Sequence, residues 1–402
     1  MKQTILFITQ VFPPDPASVG QHMQDAAEEV GRRGFRVVVL TADRGYDDPK
    51  HKFARRETRG SVEIIRLPFS SLGKQSMLRR MVSSLAFSVQ AMWRSLFVRN
   101  LQAVLVTTSP PTGAAIGLVV SYIRQVPLKY WLMDLNPDQV VALGLMKPGS
   151  VPVRLLAWIN RRLFARATDI VVLDKFMLNR VQAYLPATPP RLHTLPPWPL
   201  DEVETPLAHE ANPFRKTHQL KGRFVVMYSG SHGIHPLDTL LEAAKELQTD
   251  REIVFMFIGG GSGKRAVERS GLPNVRSLPY QPRARLRESL SAADLHVVVL
   301  SEAVVGINHP CKVYGALAVG RPILFIGPSM SHVGDILKAS EVGWHIEHND
   351  VAGVTSAIHQ ARNMSTDARA QLGKQAQDVV RENFDKQVLQ RAFGDVLLLG
   401  VS

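Results

Sequence analysis

Cys311 is the only cysteine in the 402-residue chain. That excludes an intrachain disulfide framework and a thiolate metal cluster, and it fits a reducing, cytoplasmic setting. Long hydrophobic runs are missing as well. No stretch reaches about 18 uncharged apolar residues, so no membrane span is expected. The nearest approach, 101–123, is interrupted by Ser109-Pro110-Pro111-Thr112-Gly113. The opening MKQTILFITQVFPP has one lysine, a short apolar run and no small-residue cleavage site, so it reads as a buried first strand and not as a signal peptide. Acidic residues are absent over long distances: there are none between Glu63 and Asp134, and none between Asp138 and Asp169.

What is present is an ordinary globular composition, 45% hydrophobic and 21% charged, unlike a disordered chain. The length is too great for one core and suits two domains. The net charge of +13 lies wholly in the first 200 residues, which hold 26 basic and 13 acidic side chains against 22 of each in the remainder. Such a field calls for an anionic partner for the first half.

Short β-branched runs alternate with helical patterns in both halves. Strands are expected at Ile5–Thr9, Val37–Thr41, Val62–Arg66, Val104–Thr107, Tyr130–Met133 and Ile170–Leu173. In the second half they are expected at Phe224–Tyr228, Ile253–Ile258, Leu295–Leu300, Pro322–Phe325 and Trp344–Ile346. Apolar strands spaced by helices point to parallel sheets covered on both faces, hence to two doubly wound α/β domains. Prolines at 186, 189, 190, 196, 197, 199, 206 and 213 mark the linker. The expected division is 1–200 and 201–385, with 386–402 belonging to a C-terminal amphipathic helix.

In an open α/β sheet, ligands bind beyond the carboxyl ends of the strands. The first segment there is Phe12-Pro13-Pro14-Asp15-Pro16-Ala17-Ser18-Val19-Gly20, where Gly20 lets backbone approach an anion at a helix start; a plain strand-to-helix turn reads equally well. The second is Tyr228-Ser229-Gly230-Ser231-His232-Gly233-Ile234-His235. Its glycines, hydroxyls and imidazoles could surround a diphosphate. The third, Ile258-Gly259-Gly260-Gly261-Ser262-Gly263-Lys264, fails the P-loop spacing because Ile258 and Arg265 stand where Gly and Ser or Thr are needed. It remains a turn where backbone approaches a nucleotide, or a surface turn.

The fourth is Gly306-Ile307-Asn308-His309-Pro310-Cys311-Lys312-Val313-Tyr314, leading into an apolar helix. Asn, His and Lys at a helix start suit phosphate charge. Cys311 reads as a small buried residue. Asp134, ending the strand at Trp131-Leu132-Met133, is a candidate base, acceptor orienter or electrostatic stabiliser; a strand-end hydrogen bond is the plainer role. Asp134 and Asp138 lack a third ligand, so no metal site is expected.

Two basic stretches have apolar residues at helical spacing. One carries Leu78, Met81, Leu85, Val89, Met92, Trp93 and Leu96, flanked by Lys74, Arg79, Arg80, Arg94 and Arg99. The other carries Leu155, Leu156, Ile159 and Leu163 with Trp158, beside Arg154, Arg161, Arg162 and Arg166. Basic, acid-free helices with aromatics fit the interface of an anionic membrane. The alternative is domain core with a solvated charged face. Nucleic acid is not the expected partner, since no exposed aromatic ladder or binding motif accompanies the charge.

Together these segments resemble glycosyltransferase family 4 of the GT-B fold, closest to bacterial members of surface-polysaccharide assembly. The matching pieces run in family order: Phe12-Pro13-Pro14-Asp15, Arg66-Leu67-Pro68, Ser109-Pro110-Pro111, 134–144, 167–173, 228–244, 259–261, 274–282 with Ala293-Asp294, and 310–322. The resemblance implies two Rossmann-like domains facing across a cleft and a retaining, metal-independent hexosyl or N-acetylhexosaminyl transfer. The donor would be a UDP- or GDP-linked nucleotide sugar, used as a substrate with no cofactor. Its contacts would come from Gly230, Ser231, His232, His235, Gly260, Gly306, Ile307, Asn308, Lys312 and Tyr314. A polyprenyl-phosphate-linked or other membrane acceptor would bind the basic N-terminal domain, on the inner face of the cell membrane, with the C-terminal helix crossing back onto that domain. The family's E-x7-E pair is replaced here by Ile307 and Gly315, and its diphosphate-binding Arg and Lys by Ser231 and His235. Lys312 would supply the missing charge. Alternatives are a sugar-nucleotide epimerase of the same fold or a non-catalytic nucleotide-binding relative.

Overall fold

The computed structural model describes residues 2–45, 50–70, 77–200, 206–233 and 235–401, with side chains of 77–81 left aside. Lys74, Ile234 and the side chains of Leu78, Arg79, Arg80 and Met81 therefore lie outside the described residues. The chain forms two compact units. One comprises 1–196, 306–309 and 387–402; the other comprises 197–305 and 310–386.

The first unit is built on eight strands: β1 (Thr4–Ile8), β2 (Arg36–Ala42), β3 (Arg56–Arg59), β4 (Val62–Leu67), β5 (Leu101–Thr107), β6 (Leu128–Trp131), β7 (Asp169–Val172) and β8 (Arg191–Thr194). Their order is β3-β4-β2-β1-β5-β6-β7-β8. All pairs are parallel except β3 with β4. The central strand Thr4-Ile5-Leu6-Phe7-Ile8 is wholly buried, as a strand covered on both faces must be. The helix Ser18–Arg32 packs beside β2, and the helix Gly113–Arg124 lies against β5. The fit of the second helix is tight: a Cβ on Gly117 would meet Val106 Cγ1 at 2.8 Å.

The second unit has six parallel strands: β9 (Phe224–Ser231), β10 (Ile253–Gly260), β11 (Val275–Leu278), β12 (Leu295–Val299), β13 (Ile323–Ile326) and β14 (Gly343–Ile346), in the order β11-β10-β9-β12-β13-β14. Alternate residues of β9 feed two cores. Phe224, Val226 and Tyr228 join one face, and Val225 and Met227 join the other. This is the period-two alternation of a strand buried on both sides.

The sequence reading places eleven strands, and the three it lacks, β3, β8 and β11, are edge strands. Their sequences, RETR, RLHT and VRSL, are at most partly buried. A strand at a sheet edge does not need an apolar run, so it leaves no hydrophobic signal.

Candidate functional site

In a doubly wound sheet the binding crevice opens where strand order reverses. In the second unit that point lies between β9 and β12, whose carboxyl ends are Ser229-Gly230-Ser231 and Leu300-Ser301. Lys312, the first residue of the helix Lys312–Ala318, reaches into this end of the sheet. Its Nζ lies 3.6 Å from the Tyr228 ring centroid. A Cβ on Gly230 would come within 3.4 Å of Lys312 Cε, so glycine there leaves the lysine its channel. Burial pushes the Lys312 ammonium down to about 7. Among the described residues no carboxylate pairs with it.

Two imidazoles stand near this lysine. The Ser301 N–H donates to His235 Nδ1 at 3.3 Å, which leaves the ring proton on Nε2. Burial first, then the Lys312 and His348 charges, push His235 down to about 3. His232 is fully buried, packed against the Tyr228 and Phe257 rings. Among the described residues neither of its ring nitrogens meets strict hydrogen-bond geometry, although the Ile258 backbone lies close enough to oppose the downward shift. Burial, then Lys312 and Lys264, push it down to about 4. Both imidazoles are therefore neutral near pH 7, and the local positive charge comes from buried Lys312 with Lys264 beside His232. A polyanion would be met there by one titrating ammonium, neutral N–H donors and a glycine-lined backbone.

In the first unit the corresponding reversal lies between β1 and β5, and Asp134 follows the neighbouring β6. The Asp134 N–H donates to Thr108 Oγ1 at 3.2 Å. Its carboxylate accepts from Asn308 Nδ2 and from Gln139 Nε2, the latter at 3.3 Å. Burial raises the Asp134 carboxyl above its usual range, while these amides oppose the shift. Asp138, four residues on, accepts instead from Tyr184 OH. The strap 306–309 is bound to this same unit. The Leu135 N–H donates to Ile307 O at 2.8 Å, and Asn308 forms a bridge with Asp134. His309 Nδ1 lies 2.7 Å from Asp174 Oδ2, while Asp174 Oδ1 caps the helix Lys175–Val181. Among the described residues no three His, Cys, Asp or Glu side chains gather in a metal-binding group.

The family description "Glycosyl transferase 4-like domain" matches residues 18–198, and "Glycosyl transferases group 1" matches 210–379. The chain belongs to the group 1 glycosyltransferases. Among curated relatives, the "Probable glycosyltransferase WbjE" of Pseudomonas aeruginosa is 24% identical over 265 residues. The match covers 65% of this group 1 chain and 65% of that relative, just under two thirds of its length. Among solved structures, sucrose-phosphate synthase from Thermosynechococcus elongatus superposes with a TM-score of 0.74 at 15% identity, covering 98% of each chain. Anabaena HepE in complex with UDP and glucose gives 0.70 at 15% identity, covering 98% of this chain and 99% of its own. These likenesses establish the GT-B fold.

Several of the expected contact residues also have structural roles in this group 1 chain. The segment 306–318, read as one anion-binding loop, is divided. Gly306, Ile307 and Asn308 go with the first unit, and Lys312 and Tyr314 with the second. Ile307 is buried, with its carbonyl taken by Leu135. Gly306, at φ +70°, sits so close to the Phe176 carbonyl that a Cβ would lie 2.5 Å from it. Tyr314 is core: its ring packs on Phe384 and its hydroxyl bonds His332 Nε2 at 2.9 Å. Gly230, Ser231 and Gly260 are the last paired residues of β9 and β10, not loop. Gly20 lies in the first turn of the helix Ser18–Arg32, where a Cβ would meet Phe12 Cα at 3.0 Å. Cys311 is partly exposed. Sequence reasoning missed Thr108, Gln139, Ser301 and His348. The polar residues just after β5, β12 and β14 were the available signal, since strand ends at a reversal are where ligands bind.

Proposed function

We propose that the chain transfers a hexosyl or N-acetylhexosaminyl group from a UDP- or GDP-linked sugar to a polyprenyl-phosphate-linked acceptor in surface-polysaccharide assembly. The transfer retains anomeric configuration and needs no metal. The observation that carries this reading is the β9/β12 reversal of a group 1 chain, with Lys312 buried and unmatched by any described carboxylate beside neutral His235 and His232. Such a site gains its missing counter-charge from a nucleoside diphosphate.

In this reading residues 201–385 hold the donor. Lys312 binds the diphosphate, His235 offers Nε2–H, and the backbone of Gly230, Ser231 and Gly260 approaches it closely. Residues 1–200 and the terminal helix 386–402 form the acceptor part, which works on the inner face of the cell membrane. Asp134, its pKa raised and its orientation fixed by Asn308 and Gln139, orients the acceptor or stabilises charge during transfer. As the sugar leaves, Lys312 stabilises the departing diphosphate and acts in place of a metal. The GT-B fold shared with HepE in complex with UDP and glucose supports a nucleotide donor. The test is product analysis with a nucleotide-sugar panel. Sugar transfer dependent on added lipid acceptor supports the proposal. An altered sugar nucleotide formed without acceptor would identify an epimerase instead.

A further inference from the structure

Three helices of the first unit pack side by side: Met77–Leu96, Gly113–Arg124 and Val151–Arg166. Side chains seal both seams. Ser88 Oγ lies 2.7 Å from Thr112 Oγ1, and Arg124 donates to the Leu96 carbonyl at 2.8 Å. Across the second seam Arg166 donates to Ser121 O at 3.2 Å and lies over the Tyr122 ring.

The first helix is inside out. Among its described side chains, 82–96, the buried ones are Ser83, Phe87, Ala91 and Ser95, so two of these four inward positions are hydroxyls. Its large apolar residues point the other way: Leu85 is 65% exposed, Val89 54% and Trp93 64%, with Phe97 beyond the helix end at 66%. A helix that serves only a soluble core puts its apolar stripe inward. The neighbouring helices extend the surface with exposed Tyr122 and Ile123, then Val151, Leu155 and Trp158. Contiguous exposed apolar area of this kind marks an interaction site.

The charge decides the partner. No acidic residue occurs in any of the three helices, whereas Arg94, Arg154 and Arg161 are exposed on them. Arg162 lies 5.4 Å from the Trp158 ring, an arrangement that places cation and indole together. Aromatic and aliphatic side chains among cations without acids match the interface of an anionic bilayer. No described helix is long and apolar enough to cross a membrane.

We propose that these three helices form a single docking plane for anionic phospholipid, with Leu85, Val89 and Trp93 entering the acyl boundary and the arginines resting at headgroup level. This deepens the membrane acceptor of the proposed function and rests on it, but it is tested separately. The full chain is floated with phosphatidylcholine vesicles, with and without phosphatidylglycerol, at low and high salt. Binding should require the anionic lipid and weaken with salt. The variant R94Q/R154Q/R161Q should lower partitioning roughly 100-fold, at about 1 kcal/mol per arginine. L85E/V89E/W93E should abolish it while leaving the melting temperature and UDP affinity unchanged. Single L85E and V89E variants serve if the triple variant fails to fold. Transfer to a detergent-dispersed acceptor should survive in every docking variant, and its absence in the parent chain would count against the transferase reading alone. Vesicle binding that is absent at low salt, or indifferent to these substitutions, overturns the docking plane. So does a chain that dimerises through this face and binds no vesicle.

Discussion

Lys312 gives the sharpest handle on the proposed donor site. Its ammonium titrates near pH 7 in the free protein because burial lowers it to about 7. A diphosphate should bind the protonated form, so affinity must follow the protonated fraction. That fraction is about one half at pH 7 and about one hundredth at pH 9, so UDP or GDP affinity should fall about 50-fold across this range. The diphosphate's own last ionisation lies near pH 6 and does not interfere. His235 and His232, pushed down to about 3 and about 4, do not titrate there either. Lys312→Gln should weaken binding at pH 7 by roughly 30- to 150-fold, the worth of a charge-assisted hydrogen bond of about 2–3 kcal/mol, and should flatten the profile. Lys312→Arg stays charged and should also flatten it, at high affinity if the guanidinium fits. Isothermal titration calorimetry at pH 7, 8 and 9 reads all three proteins. A wild-type affinity constant over that range, or Lys312→Gln binding as tightly as wild type, would refute the reasoning.

The same burial carries a stability cost. Between pH 7 and the unfolded lysine value of about 10.4 the unfolded chain holds a proton that the folded one has lost, so stability rises with pH across that window. Lys312→Met should therefore gain on the order of 1–2 kcal/mol at pH 7 by denaturant melt. Buried imidazoles act in the same direction at lower pH. His232 and His296 are held at about 4, below the unfolded value of about 6.5, so stability is full above 6.5 and drains as pH falls towards 4. These two groups alone supply a slope of up to about 2.7 kcal/mol per pH unit, to which His235 adds in the same direction, and a flat melting temperature from pH 6.5 to 4.5 would contradict it. Gly259, at φ +145°, would set a Cβ 1.9 Å from the Gly230 carbonyl, so Gly259→Ala should cost roughly 3 kcal/mol or more. Asp134→Asn should cut transfer about 100-fold or more while leaving UDP affinity within about two-fold; equal losses in both would deny it a role in transfer.

The interior strands were legible because burial on both faces demands unbroken apolar runs, as in Thr4-Ile5-Leu6-Phe7-Ile8 and Phe224-Val225-Val226-Met227-Tyr228. The edge strands were not, since Arg56-Glu57-Thr58-Arg59 needs only one partner and little apolar burial. Lys312 and His235 could be placed near each other from their positions at strand and helix ends. The strap 306–309 could not, because the bond from Asn308 to Asp134 spans 174 residues and leaves no local periodicity. The hydrogen bond from Tyr314 to His332 and its packing on Phe384 were equally invisible, since both partners lie outside the 306–318 segment. In the basic helices the spacing of Leu85, Val89 and Trp93 fits a core stripe and a membrane stripe alike. Only burial, with Phe87 and Ala91 inward and Trp93 outward, separates the two. In the other basic helix Leu163 proved to be core while Leu155 faces out.

The central claim, a nucleotide-sugar-dependent transferase, is tested most directly by measuring nucleoside diphosphate release from a panel of UDP- and GDP-sugars, with and without polyprenyl-phosphate-linked acceptor. Release is expected with one donor class, dependent on the acceptor and lost in Lys312→Gln. No acceptor-dependent release from any donor would contradict it.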